Sequence, residues 1–122
     1  MKLVQKEAES EALWRYLRRH RFDERVTSAL ARVEVVRAVQ SGGAPTVAKA
    51  RRQLARMHYV NLDQALLESA ATVAAGTLLR SLDAIHLASA LLVGADLRAV
   101  VTYDQRMADA ASALGLPLEA PR

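Results

Sequence analysis

Residues 97–104 read LRAVVTYD, a continuous apolar run that ends on an acid. A strand wetted on one face alternates apolar and polar side chains; Ala99, Val100 and Val101 do not. The run predicts a strand over 97–103 buried on both faces, the pattern of a parallel sheet covered by helices. Working outward, DQRMADAASAL predicts a helix stopped by Gly115, and LPLEA, which contains Pro117, an edge strand. Upstream, SLDAIHLASALLV predicts a core helix capped by Ser81 and stopped at Gly94. Before it, Asp63 caps a predicted helix over 64–75, and HYVNL (58–62) predicts a strand. PTVAKARRQLARM carries Pro45 in a first helical turn, ARVEVVRAVQ runs as a helix to Gly42-Gly43, and RVTSAL (25–30) is β-rich. A helix over about 5–20 opens the chain. Strands alternate with helices over connections too long for hairpins, so the predicted fold is one α/β domain, 1–122, with a central parallel sheet between helical layers.

Composition narrows the function classes. At 52% hydrophobic and 25% charged, the chain has enough apolar residues for one core and is not a disordered polymer. It has no cysteine, which excludes a disulfide framework and a thiolate zinc site and fits a reducing cytoplasm. The opening MKLVQKEAES lacks the apolar run of a signal peptide, and Glu68 and Arg80 interrupt the most apolar stretch, so no membrane partner is expected. Net charge is +4, concentrated in RYLRRHR (15–21) and KARRQLAR (49–56). Two solvated helix faces account for these segments; an RNA backbone is the polyanion they would suit. With one Phe and one Trp, base-stacking platforms are scarce, and contact would be to phosphate.

Three acids fall where ligands bind in such a sheet, at the carboxyl ends of strands. Asp104 follows the AVVTY strand, Glu34 lies on the helix after RVTSAL, and Asp83 sits in the first turn of its helix. Each has a structural reading: Asp83 and Asp104 as residues favoured by a helix N-terminus, Glu34 as the partner of Arg37. As a cluster they would repel, each pair costing roughly 3 kcal/mol at about 5 Å and an effective dielectric of about 20. Protonation or a hard divalent cation with oxygen ligands offsets that. Mg2+ or Mn2+ among carboxylates activates water for phosphodiester hydrolysis. Ser81 and Thr102 adjoin the acids and either hydrogen-bond the site or merely cap and fill. His86 shares a helix face with Asp83 and reads as a packed residue; His20 and His58 have no zinc spacing with it.

LRSLDAIHLASAL followed by VVTYDQRMADAASALGLPLEAP resembles the C-terminal half of a PIN domain, most closely bacterial toxins of the VapC type. VTSALARVEVVRAV resembles the second acidic segment of that family. The resemblance implies a metal-dependent endoribonuclease, inhibited by a cognate VapB-like antitoxin that inserts a segment into the active site, and a homodimer. It carries the family's acids onto Glu34, Asp83 and Asp104, and its polar residue onto Thr102. The family begins with a strand ending in an Asp-Thr/Ser-Ser-Ala-like turn whose aspartate is a metal ligand. MKLVQKEAES resembles the segment just after that turn, so the first strand and its acid are expected to be missing, with sheet edges left exposed. A start codon assigned too far downstream and a truncated product both fit, as does a chain that binds antitoxin or RNA without cutting. Glu7 and Glu9 have no spacing that supports substitution for the absent acid.

Overall fold

The computed structural model describes residues 7–122; part of MKLVQKEAES therefore lies outside the described residues. The chain forms two compact units, one running to Val60 and including Pro121–Arg122, the other Asn61–Ala120. Among the described residues, six α-helices and four short strands paired in parallel make up these units, the α/β arrangement expected from the sequence.

In the first unit, α1 (Ser10–Arg19) buries Leu13, and His20, just past its C-terminus, packs against Tyr16 with the rings tilted by 53° and their centroids 4.6 Å apart. Strand β1 (Val26–Ser28) leads into α2 (Ala31–Val39), and α3 (Ala44–Leu54) leads into β2 (His58–Val60). Helices α2 and α3 pack through Val39 and Ala50, both fully buried, with Val35 and Val47 against them. The turn between them depends on Gly42: a Cβ there would stand 2.8 Å from Thr46 Oγ1, which donates a hydrogen bond to the Gly42 carbonyl. Pro45 occupies the first turn of α3, where its missing N–H is no loss. Strands β1 and β2 pair in parallel, Val26 with His58 and Ser28 with Val60. Tyr59, the middle residue of β2, donates its hydroxyl to the Leu54 carbonyl at 2.6 Å.

In the second unit, Asp63 caps α4 (Gln64–Thr72) by accepting from the Leu66 N–H at 2.8 Å. The helix stops three residues short of the expected 64–75. Val73 is extended and Ala74 has φ 52°, and Thr77 fastens this turn by donating to the Ala74 carbonyl. Helix α5 (Ser81–Val93) buries Ala84, Leu87, Ala88 and Ser89 and ends at Gly94, whose φ of 66° suits glycine. Strand β3 (Val100–Val101), α6 (Gln105–Ala113) and β4 (Leu118–Glu119) complete the unit. Its core gathers Leu87, Met107, Ala110 and Ala111, with Leu79, Leu116 and Leu118 around them.

Two expectations are corrected. The strand predicted over 97–103 contracts to Val100–Val101, and Val101 is 39% exposed rather than buried on both faces. Among the described residues β3 pairs only with β4, and β1 only with β2, so the parallel sheet is present as two two-stranded ladders. Ser81 does not cap α5 either. The extended residue at the helix start is Arg80 (ψ 155°), which puts Ser81 inside the first turn, exposed, with its hydroxyl past the capping position.

Candidate active site

Asp104 is held by local chemistry on both sides. Just beyond β3, the Asp104 N–H donates to Thr102 Oγ1 at 3.1 Å. Asp104 is the N-cap of α6, its Oδ1 accepting from the Met107 N–H at 3.0 Å. The cap uses one carboxylate oxygen. The other, Oδ2, lies 3.8 Å from the guanidinium of Arg80.

Asp83 reaches the same guanidinium from the first turn of α5. Its Oδ2 accepts from Arg80 Nε at 2.9 Å, a direct charge-assisted hydrogen bond. Its side chain is 16% exposed, against 45% for Asp104. Two carboxylates thus border one cation, which leaves the group with a formal charge of −1. Repulsion between clustered acids was expected to need an offset, and Arg80 supplies it. This residue escaped the sequence reading, although its signal was present. In RSLD the arginine stands three residues before Asp83 at a helix start, the spacing at which side chains meet.

Glu34 lies in the first turn of α2, in the other unit. It is half-buried, and its neighbour Val33 is 56% exposed. Among the described residues no group of three or more His, Asp and Glu side chains gathers to hold a metal ion. What the second unit offers is the pair Asp83 and Asp104, hard oxygen donors already drawn around a positive charge, a donor set that fits a hard divalent cation. Thr102 is half-buried and aims Asp104; His86 is half-buried on α5. Glu9, weighed as a distant substitute acid, faces Arg122 at 3.5 Å.

Other features are accounted for without catalysis. Arg18 and Arg19 end α1, and Arg51 and Arg52 end α3, positions that complement the negative helix C-terminus. A groove of about 300 Å³ runs between α4 and α5, lined by Leu67, Ala70, Thr77, Leu79, Ser81 and Ile85; neither Asp83 nor Asp104 borders it. Among the described residues no helix is long and apolar enough to cross a membrane.

The family model for the PIN domain matches residues 1–113. Ribonuclease VapC46 of Mycobacterium tuberculosis (strain ATCC 25618 / H37Rv) is 47% identical over 125 residues, covering 99% of this chain and 91% of that protein. Ribonuclease VapC35 of the same strain is 43% identical over 126 residues, 99% of this chain and 90% of that protein. Ribonuclease VapC47 of M. tuberculosis (strain CDC 1551 / Oshkosh) is 37% identical over 100 residues, 81% of this chain and 73% of that protein. No solved structure matches significantly. With the α/β elements in place and the family model running across both units, the chain belongs to the PIN-domain family.

Proposed function

We propose that this chain is the toxin ribonuclease of a toxin–antitoxin pair, an endoribonuclease that hydrolyses RNA phosphodiesters with Mg2+ or Mn2+. The observation that carries the reading is the convergence of Asp83 and Asp104, the two family acids of the second unit, on one cation. Relatives named as VapC ribonucleases, aligned over nearly the whole chain, point to the same activity.

In this reading Asp83 and Asp104 would hold the ion, with Glu34 as the third acid. The chemistry such an ion supplies when bound is neutralisation of phosphate charge and acidification of water. The chain's own residues do the rest. The Met107 N–H and Thr102 Oγ1 fix the Asp104 backbone and one of its oxygens, so the second oxygen is aimed without cost at the moment of reaction. Asp83, mostly covered, keeps its charge close to Arg80. Ser81, exposed in the same helical turn as Asp83, is the supporting polar residue in this reading. The partners that go with this function are an RNA substrate, a VapB-like antitoxin and a second copy of the chain, in the cytoplasm, with residues 1–122 acting as one domain.

Cleavage of RNA by the purified chain in Mn2+ or Mg2+, beside an EDTA control and Asp104→Asn, tests the reading. Cleavage abolished in both controls supports it. If a chain that melts cooperatively cuts nothing in either metal, the reading fails and the binding-only alternative takes its place.

A further inference from the structure

Phe22 is the sole phenylalanine of the chain, and it is 88% exposed. It lies in the turn that follows α1. The Asp23 N–H donates to the His20 carbonyl at 3.0 Å, which makes Arg21 and Phe22 the two central residues of a closed four-residue turn. The Arg21 guanidinium stands over the Phe22 ring, 4.7 Å from its centroid. We propose that Phe22, Arg21, Arg18 and Arg19 form a contact site for single-stranded RNA, in which an unpaired base stacks on the phenyl ring and the arginines take the flanking phosphates. The inference rests on RNA as the substrate of the proposed function and names a surface of the first unit that grips it.

The ring is presented by an ordered turn. Behind it, the His20 N–H donates to the Tyr16 carbonyl at 3.1 Å, the His20 ring packs on Tyr16, and His20 Nδ1 lies 3.8 Å from Asp23 Oδ2. Little backbone freedom is then left to lose on binding. Arg21 covers one face of the ring, and with 88% of the residue exposed the opposite face is open to a second planar group. A base offers such a face whatever its identity, and an arginine beside the stack adds a cation–π contribution.

The charges around the ring select the polyanion. Residues 15–24 carry four arginines against Asp23 and Glu24. Arg15 faces Glu11 at 3.8 Å and His20 faces Asp23, whereas Arg18 and Arg19, both exposed, form no ion pair among the described residues. The dipole of α1 favours Arg18 and Arg19 where they stand, but it accounts neither for Arg21, which lies beyond the helix, nor for the exposed ring. A protein partner would want the ring inside an apolar patch, because charged residues are depleted from the centre of such interfaces. Here the chain neighbours of Phe22 are His20, Arg21, Asp23 and Glu24. An aromatic platform set among guanidinium groups suits unpaired bases on a phosphate backbone.

Fluorescence anisotropy of a short labelled oligoadenylate with the full chain, in EDTA so that binding is read apart from hydrolysis, tests the site. Phe22→Leu is expected to weaken binding about tenfold, the scale of one stacked base, and to leave binding of an abasic strand of the same length unchanged. Phe22→Trp should bind at least as tightly as the wild type. Arg18→Gln and Arg19→Gln should weaken both strands alike, each lowering the slope of log affinity against log salt by about 0.7. All these side chains are exposed, so melting curves should match the wild type. A Phe22→Leu chain that binds oligoadenylate as the wild type does, or loses both strands equally, overturns the stacking site; the first result is also what a protein-docking role would give. If the wild type cuts RNA in Mn2+ while Phe22→Leu shows either result, the ribonuclease reading stands and this inference falls. If the expected binding pattern appears and the folded wild type cuts nothing, the inference stands and the ribonuclease reading falls. A folded wild type that binds neither strand refutes the site outright.

Discussion

The turns that open α4 and α6 are built alike and do different things. Each starts with an aspartate whose Oδ1 accepts from the backbone N–H three residues on, Asp63 from Leu66 at 2.8 Å and Asp104 from Met107 at 3.0 Å. Both caps satisfy an orphan donor and place a negative charge at the positive end of a helix. Of the two, among the described residues, only Asp104 also faces a guanidinium, and that guanidinium is shared with a second carboxylate. A capping role and a site role are thus not competing explanations. Asp104 fills both, one with each oxygen. What separates a site from a cap is the company of the second oxygen.

Asparagine separates the two roles, because it keeps the capping oxygen and removes the charge. Asp104→Asn is expected to lower RNA cleavage about a hundredfold or more, the scale of one electrostatic group lost from a reacting centre. Asp63→Asn should cleave like the wild type. Initial rates on one RNA substrate in Mn2+, with both variants confirmed folded by circular dichroism, decide it. Equal losses would erase the distinction and make both turns mere architecture.

Alanine removes cap and charge together, and there the order reverses. Asp63→Ala is expected to destabilise by about 1 kcal/mol, the usual cost of a lost N-cap. Asp104→Ala loses the same cap but also relieves repulsion between its carboxylate and Asp83, so its cost should be smaller, about half. Urea midpoints of the metal-free proteins measure the difference. A larger loss for Asp104→Ala would mean that Arg80 more than compensates the repulsion.

The two turns also show how far a sequence can be read. Asp63 and Asp104 were both legible as residues that begin helices after strands, because capping is local chemistry within four residues. Helix α5 and its stop at Gly94 were legible for the same reason, as was the parallel pairing from the lengths of the connections. The burial of β3 was not. Continuous apolarity in VVTY reports that a strand tolerates enclosure; whether neighbours enclose it is decided by pairing far along the chain, and Val101 remains 39% exposed. Ser81 failed through a shift of one residue, which moves a hydroxyl from the cap into the helix. Arg80 was hidden for a subtler reason: reading acids as a cluster directed attention to an external cation, while an internal one stood three residues before Asp83.

The finest difference between the two turns lies two residues before each aspartate. Thr102 accepts the Asp104 N–H through its hydroxyl at 3.1 Å, whereas Asn61 holds the corresponding place before Asp63. Thr102→Val keeps the shape and the β-branching and removes the acceptor. Because the Asp104 backbone borders an exposed residue, water can take the freed N–H, and stability should change by about 0.5 kcal/mol or less. Cleavage should fall modestly, by about tenfold at most, because the cap still fixes one carboxylate oxygen while the turn that aims the other is loosened. Rates for Thr102→Val beside Asp104→Asn bracket the role. A variant as fast as the wild type would show that the α6 cap alone aims the carboxylate. A loss as deep as that of Asp104→Asn would move Thr102 from the turn that positions the acid to the group that meets the substrate.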